Sequence, residues 1–174
     1  MSSQLQIRLA SPNDAAAIAS IHVEGWQKAY RGLIPQNHLD NLNIPERQQL
    51  WQKRLDAPQG DQKTFVVEIK NKVLGFSSFG HSRDSSEISG PGEIYAIYVA
   101  PHCWQQGLGQ QLLAASEAAL KKDGHQEAIL WVLSKNERAI RFYRQAGWHP
   151  DEASRHQEIS GVQIEEMRYS MIFI

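Results

Sequence analysis

Two glycines, Gly107 and Gly109, sit in VAPHCWQQGLGQQLLAA (residues 99–115), where a strand-like run gives way to a helical pattern. Glycine is a poor helix former, so its double use at a helix entrance calls for a reason. A strand that runs into a helix aims unpaired N–H groups at one spot, and the helix dipole adds partial positive charge there. A phosphate suits that corner, and bare glycines let its oxygens approach the main chain. The plain alternative is a tight β–α turn that holds nothing. Two familiar phosphate loops fit poorly: there is no GxxxxGK[ST] run, and Leu112 fills the third-glycine place of a dinucleotide fingerprint.

Other reactive side chains are sparse. Cys103 is the only cysteine, which excludes an internal disulfide and fits a reducing compartment. The seven histidines show no H-x-x-x-H spacing and no C-x-x-C accompanies them, so no metal site is expected. Glu24 and Lys28, at i and i+4, read as a solvated helix face. The 174 residues suit a single domain spanning 1–174, with 41% hydrophobic and 21% charged residues in the ordinary globular range. A net charge of -1 and scattered basic residues give no support to a nucleic-acid partner. No apolar run approaches a membrane span, and the start MSSQLQIRLA lacks a signal-peptide pattern, so a cytoplasmic protein is expected.

The elements that must position the glycine corner are legible. QIRLA (6–10) reads as a first strand. SPND follows, with Ser11 as N-cap, Pro12 at the first helical position and Asp14 three residues after the cap. The helix AAAIASIHVEGWQKAY ends by Pro35, or earlier at Gly25 or Gly32, and a second helix starts near Pro45 with Leu50, Trp51 and Leu55 at helical spacing. TFVVEI and VLGFSSF form a hairpin around Asn71, and a polar loop spans His81–Gly92. EIYAIYVA is a strand, followed by the glycine corner and the helix GQQLLAASEAALKKDG. EAILWVL is another strand, NERAIRFYRQAG a helix capped by Asn136 and stopped at Gly147, and two last strands flank Ser160-Gly161. The order β-α-α-β-β-β-α-β-α-β-β implies a mixed α+β fold with helices on both faces of one sheet.

EIYAIYVAPHCWQQGLGQQLLAA resembles the acyl-CoA loop of the GNAT superfamily of N-acyltransferases, a [Q/R]-x-x-G-x-[G/A] hexapeptide after a strand ending in hydrophobic-x-Val-x-Pro. Trp104, Gln105, Gln106, Gly107, Leu108 and Gly109 fill the hexapeptide, and Trp104 departs from the usual Gln or Arg. LWVLSKNERAIRFYRQAGW resembles the later family motif through Asn136, Ala139, Phe142, Tyr143, Gly147 and Trp148, and IRLASPNDAAAIASIHVEGWQKAYRGLIP resembles the opening of small bacterial members. The resemblance implies a central mixed, largely antiparallel sheet of six to seven strands, splayed between the fourth and fifth. It implies acetyl-CoA as co-substrate, with its diphosphate on main-chain amides from Gln105 to Gln110 and its pantetheine arm along Ile97, Tyr98 and Val99 like an added strand. Asn136, Ala139, Phe142 and Tyr143 would complete that cofactor-binding set.

The activity so implied is direct acetyl transfer to a primary amine of a small molecule in a ternary complex. Such a reaction needs a neutral amine, oxyanion stabilisation from a strand N–H and a proton for the departing thiolate. Tyr143 is the candidate proton donor; the alternative is a core tyrosine with a satisfied hydroxyl. Glu93, at the start of the same strand, is the candidate base through a water, or else a solvent-facing strand end; Tyr95 and Ile97 alternate with it and would share its face. His22, Trp26 and Tyr30, at i, i+4 and i+8, together with Tyr95, would wall the acceptor pocket, unless the stripe is simply core. Cys103 is read as a bystander. Two other functions stay open: acetylation of a protein N-terminus or lysine, and a non-catalytic acyl-CoA-binding module. A homodimer through the C-terminal strands is an expectation of the resemblance alone.

Overall fold

The computed structural model describes residues 5–87 and 89–174. Met1–Gln4, the start of the N-terminal segment, and Ile88, within the polar loop, lie outside the described residues. The strands are β1 (Leu5–Leu9), β2 (Lys63–Ile69), β3 (Lys72–His81), β4 (Gly92–Val99), β5 (Glu127–Leu133), β6 (His149–Ile159) and β7 (Val162–Ile172). The helices are α1 (Ala15–Ala29), α2 (Gln36–Asp40), α3 (Ile44–Asp56), α4 (Leu108–Lys122) and α5 (Glu137–Gln145). The short α2 was not anticipated: five residues after Pro35 carry too little periodicity to announce a helix. Among the described residues no helix is long and apolar enough to cross a membrane.

The seven strands form one sheet in the order β1-β2-β3-β4-β5-β7-β6. Every neighbouring pair is antiparallel except β4–β5. Hairpins β2–β3 and β6–β7 close through two-residue turns, Lys70-Asn71 and Ser160-Gly161, with all four residues at positive φ as a type I′ turn requires.

Alternation along β2 and β3 sorts side chains to two cores. Val66 and Phe76 face α1 and α3 and pack with Ala15, Ile18 and Trp51. Val67 and Leu74 face α4 and pack with Leu108 and Leu112. A third cluster, around Phe79, Ile94, Leu120, Leu130 and Trp148, receives Phe142 and Tyr143 from α5. The polar pair inside the α4 interface is satisfied: Ser116 Oγ donates to Leu112 O at 2.8 Å and lies 2.8 Å from Ser77 Oγ.

The break in the sheet comes from β4. Ser78 pairs with Ala96 and Phe79 with Ile94, so Tyr95 is an extra residue, a β-bulge. The bulge shifts the alternation by one: Ile94 and Ile97 both face α4, whereas Ala96 and Tyr98 face α1. Glu93 and Ile97 therefore do not share a face, contrary to the simple period of two. On its other side β4 pairs with β5 only at Gly92↔Ala128 and Glu93↔Ile129, and the strands then diverge.

At the N-terminal end Asp14 organises the entry to α1. Its carboxylate accepts from the Ser11 N–H at 2.7 Å and from the Arg8 guanidinium at 2.8 and 2.9 Å, and Arg8 also reaches Glu68. The hydrogen-bonded Arg8 holds the Asp14 carboxyl below the ordinary carboxylate range, against the opposing effect of burial. A lowered folded-state value gives stability that is present above the unfolded value of about 4 and lost as pH falls through the folded one. Asp14→Asn is expected to cost about 1–3 kcal/mol at neutral pH and to flatten the acid limb of stability against pH, as read by urea denaturation. An equally steep acid limb in the variant would assign that limb to other carboxylates.

Candidate active site

The phosphate-loop geometry starts at Gln105 and Gly107, whose φ values of 62° and 79° are both left-handed. Left-handed residues alternating with a right-handed neighbour curl successive N–H groups into a concavity that suits an anion. Gly107 is the N-cap of α4, and an added Cβ there would meet open space with only Gln110 Oε1 at 3.9 Å. Its conformation, rather than crowding, is what demands glycine. Gln111 N–H is the one that returns to Gly107 O, which leaves the Leu108, Gly109 and Gln110 N–H groups of the first turn without a helical partner. Gly109 serves a different end: its missing Cβ admits the Phe142 ring, 3.4 Å from where that carbon would lie.

Trp104 explains its own departure from the family spelling. Its indole N–H donates to Val99 O at 2.8 Å, fixing the end of β4 to the loop. Arg138 stacks on the ring at 3.7 Å and Lys28 stands 5.0 Å away, so two cations flank the loop. Gln106 turns outward and bonds His102 O at 3.3 Å, so it contributes main chain only.

One cavity of about 720 Å³ runs from this loop through the β4–β5 split to the far side of α1. Ile97, Tyr98 and Val99 edge the split on one side, and Asn136, Ala139, Phe142 and Tyr143 of the α5 region on the other. Asn136 caps α5, its Oδ1 accepting from Ala139 N–H at 3.2 Å. Tyr143 is only 9% exposed, yet its hydroxyl makes no hydrogen bond among the described residues. No buried side-chain polar atom there lacks a partner, so that hydroxyl opens on the cavity. Burial raises it above the ordinary phenol value, with Tyr30 adding to the effect and Arg138 opposing it.

At the acceptor end α1 runs unbroken through Gly25, and the stripe it carries divides in two. Trp26 and Tyr30 line the cavity; the indole N–H of Trp26 donates to Tyr98 Oη at 2.8 Å, and the Tyr30 and Tyr98 hydroxyls lie 3.1 Å apart. His22 does not reach the cavity. It stacks on Tyr98 from behind, ring centroids 5.3 Å apart, and its Nδ1 accepts from Trp51 Nε1 at 3.2 Å. Burial, then cationic Arg47 and Arg54, push it down to about 3, so it is a neutral packing residue rather than a pocket wall. Gly25 permits the stack: a Cβ there would lie 3.4 Å from the Tyr98 ring.

Glu93 also corrects the expectation. It is 1% exposed, lies off the cavity wall, and is held by Arg83 through the N–H at 2.9 Å and the guanidinium at 2.5 and 3.2 Å. A buried, fully engaged carboxylate at the closed end of the split pins the loop after β3 and is not placed to receive a substrate proton. Tyr95 does line the cavity; its hydroxyl donates to His81 O at 2.5 Å and its ring lies under Arg83 at 4.6 Å. The carboxylate that does line the cavity is Glu166 of β7, 8% exposed and accepting from Arg155 Nε at 2.6 Å. Tyr30 lines the same cavity; burial raises its hydroxyl above the ordinary phenol value, the Tyr98 hydrogen bond opposes this and the Glu166 charge adds to it. Glu166, Arg155, Arg83 and Arg138 escaped the sequence reading: Arg83 and Arg155 come from a loop and an edge strand with no motif, Glu166 from an inner strand, and Arg138 from α5 at a place the later motif does not mark.

Comparison with known proteins shows the family and the fold. The chain matches the Acetyltransferase (GNAT) family over residues 22–148, and it belongs to that family. It is 34% identical over 163 residues to the uncharacterized N-acetyltransferase YuaI of Bacillus subtilis (strain 168), covering 92% of this chain and 89% of that one. Its fold is that of PaiA N-acetyltransferase from Thermoplasma acidophilum, solved in complex with coenzyme A, at TM-score 0.74 and 19% identity over 98% of this chain and 99% of that one. It also matches YncA from Salmonella typhimurium, solved with its cofactor acetyl-CoA, at TM-score 0.73 and 22% identity over 98% and 94% of the two chains.

The protein is an acetyl-CoA-dependent N-acetyltransferase. The anion-binding curl at Gln105–Gly107 and the unpaired edge of β4 fit a diphosphate joined to an extended amide-bearing arm. Gly107→Glu is expected to weaken acetyl-CoA binding at least about 100-fold in calorimetry, through left-handed strain of about 1–2 kcal/mol and a carboxylate facing a diphosphate. Unchanged affinity would place the phosphates elsewhere.

Proposed function

We propose that the chain works as one catalytic domain that acetylates the primary amine of a small molecule by direct attack in a ternary complex. The observation that carries this reading is a single continuous cavity joining the glycine loop, the Tyr143 hydroxyl and an aromatic basin. Acetyl-CoA supplies the activated acyl group. Main-chain amides of Gln105–Gln110 would hold its diphosphate, with Trp104 presenting Arg138 and Lys28 to the same charge. The free β4 edge at Ile97–Val99 would pair with the arm and offer an N–H to the developing oxyanion.

A small acceptor is supported over a polypeptide by the roof of the basin. Ile34 and Leu39 from the α1–α2 segment pack with Leu133 and with Ile164 of the β6–β7 hairpin. His38 Nδ1 and Ser160 Oγ, at 3.4 Å, tie the hairpin tip to α2. A peptide groove would need that roof open.

Proton traffic falls to two side chains. Glu166, which lines the same cavity as Tyr30 and has one oxygen held by Arg155, receives the proton an ammonium must lose, through solvent in the cavity. Tyr143 returns a proton to the thiolate. Its raised pKa keeps it protonated at neutral pH, and the same desolvation makes a thiolate released beside it more basic. A reducing compartment belongs to this reading and is supported by the lone free thiol, Cys103, which is buried.

Tyr143→Phe is expected to lower kcat about 100-fold in a thiol-release assay, while the KM for acetyl-CoA stays within about twofold. An unchanged kcat would remove Tyr143 from the donor role.

A further inference from the structure

The rim of the acceptor basin opposite Trp26 carries two arginines that no motif announces. Arg83 belongs to the loop after β3 and Arg155 to β6, and both line the cavity. Each is anchored by a buried carboxylate through only part of its guanidinium. Arg83 spends Nε and Nη2 on Glu93, and Arg155 spends Nε on Glu166. The two side chains remain 52% and 39% exposed, and each keeps guanidinium N–H donors that its anchoring carboxylate does not use. They flank one aromatic floor: Arg155 lies 4.3 Å over the Trp131 ring, whose N–H donates to Asp84, the residue next to Arg83, at 2.9 Å. Asp84 is the rim's own carboxylate, 3.9 Å from Arg155 Nη1 and already engaged by Trp131.

We propose that the acceptor is an amino acid or similar amino-carboxylate, its carboxylate taken by Arg83 and Arg155 and its amine turned inward toward Tyr30 and Glu166. This rests on the small-amine reading above and names its substrate class. Two guanidinium forks held in place by buried acids form a preorganised anion site, because their conformational entropy is already lost before the ligand arrives. Beside Arg155 the basin offers an acceptor, Glu166, and its lining also carries Tyr30 and Tyr98, whose hydroxyls lie 3.1 Å apart. Arg155 Nε and Glu166 Oε2 stand 2.6 Å apart, so the wall sets opposite charges side by side, matching a molecule whose ammonium and carboxylate are close neighbours. A diamine would set a second ammonium against the arginines.

The test measures thiol release with a panel of free amino acids, each beside its C-terminal amide and its decarboxylated amine. The amide is a demanding control, since neutralising the carboxylate lowers amine basicity and enlarges the reactive free-base fraction. At least a tenfold higher kcat/KM for some acid over both analogues is expected. The paired variants Arg83→Gln/Glu93→Gln and Arg155→Gln/Glu166→Gln remove charge without stranding a buried carboxylate. In the first, the acid-to-amide ratio is expected to fall toward one while the acetyl-CoA KM is unchanged. In the second, the same ratio falls, with kcat reduced on every acceptor. Amides or diamines turned over as well as or better than acids would overturn the proposal and leave the small-amine reading standing. Turnover of none of the panel, with acetyl-CoA binding intact by calorimetry, would overturn both.

Discussion

The structure depends on a set of hydrogen bonds that β4 and β5 do not make. Two parallel strands normally continue their ladder, and buried main-chain groups without partners are costly. Here the ladder stops after Gly92 and Glu93. The Tyr95 bulge bends β4 away at that point, while β5 stays bound to β7 over Glu127–Leu133. The gap is kept from collapsing by side chains below it, Phe142 and Tyr143 of α5, and by the α4 entrance to one side. What remains is a strand edge facing a cavity, a polar surface that an extended amide chain can complete. Glu93 and Arg83 secure the closed end of the split, so the carboxylate that sequence suggested as chemistry acts as the rivet of the hinge point.

Tyr98 links that edge to the acceptor side. Its main chain belongs to the free edge, and its ring crosses to α1, where Gly25 leaves room, His22 stacks behind it and Phe76 lies 5.7 Å away. The hydroxyl meets Trp26 and Tyr30. A charged His22 would lose the Trp51 bond, because Nδ1 must accept it. The depressed His22 pKa therefore reflects a packing arrangement that keeps the aromatic wall in place over the whole physiological range. Helix, strand and pocket wall are here one assembly, and a change in any of its rings would move the hydroxyls that face the substrate.

Much of this was legible in the chain because periodicity and turn chemistry speak locally. The α4 and α5 helices, the Asn136 cap, the two-residue hairpins and the glycine corner each carry a signal within a few residues. The family resemblance placed the split between the fourth and fifth strands. What could not be read was anything that depends on parity or on distant partners. One bulged residue reversed the facing of Ile97 relative to Glu93, and an arginine ten residues upstream removed Glu93 from the solvent-facing role. His22, Trp26 and Tyr30 pack ring against ring, but only Trp26 and Tyr30 reach the cavity. Glu166 lies on a strand that reaches the site only because β7 inserts between β5 and β6, a fact of topology rather than of spacing.

Charge is distributed along the cavity in a way that orders the two ligands. Arg138 and Arg141 line the cosubstrate end, with Lys28 close to the same loop, and of these Arg138 makes no ion pair among the described residues. Glu166 is the acid that lines the cavity, and it lies at the other end. At the other end Arg83 and Arg155 are each paired with a carboxylate, whereas Arg138, among the described residues, is not, so the field favours a polyanion at the loop. The cavity passes along the split edged by Ile97–Val99, and on the proposed reading the amine and the thioester meet there. Proximity of that kind, with both partners immobilised by independent contacts, is the larger part of what such a site must supply. The chemistry needs few reactive side chains because the sheet itself sets the encounter.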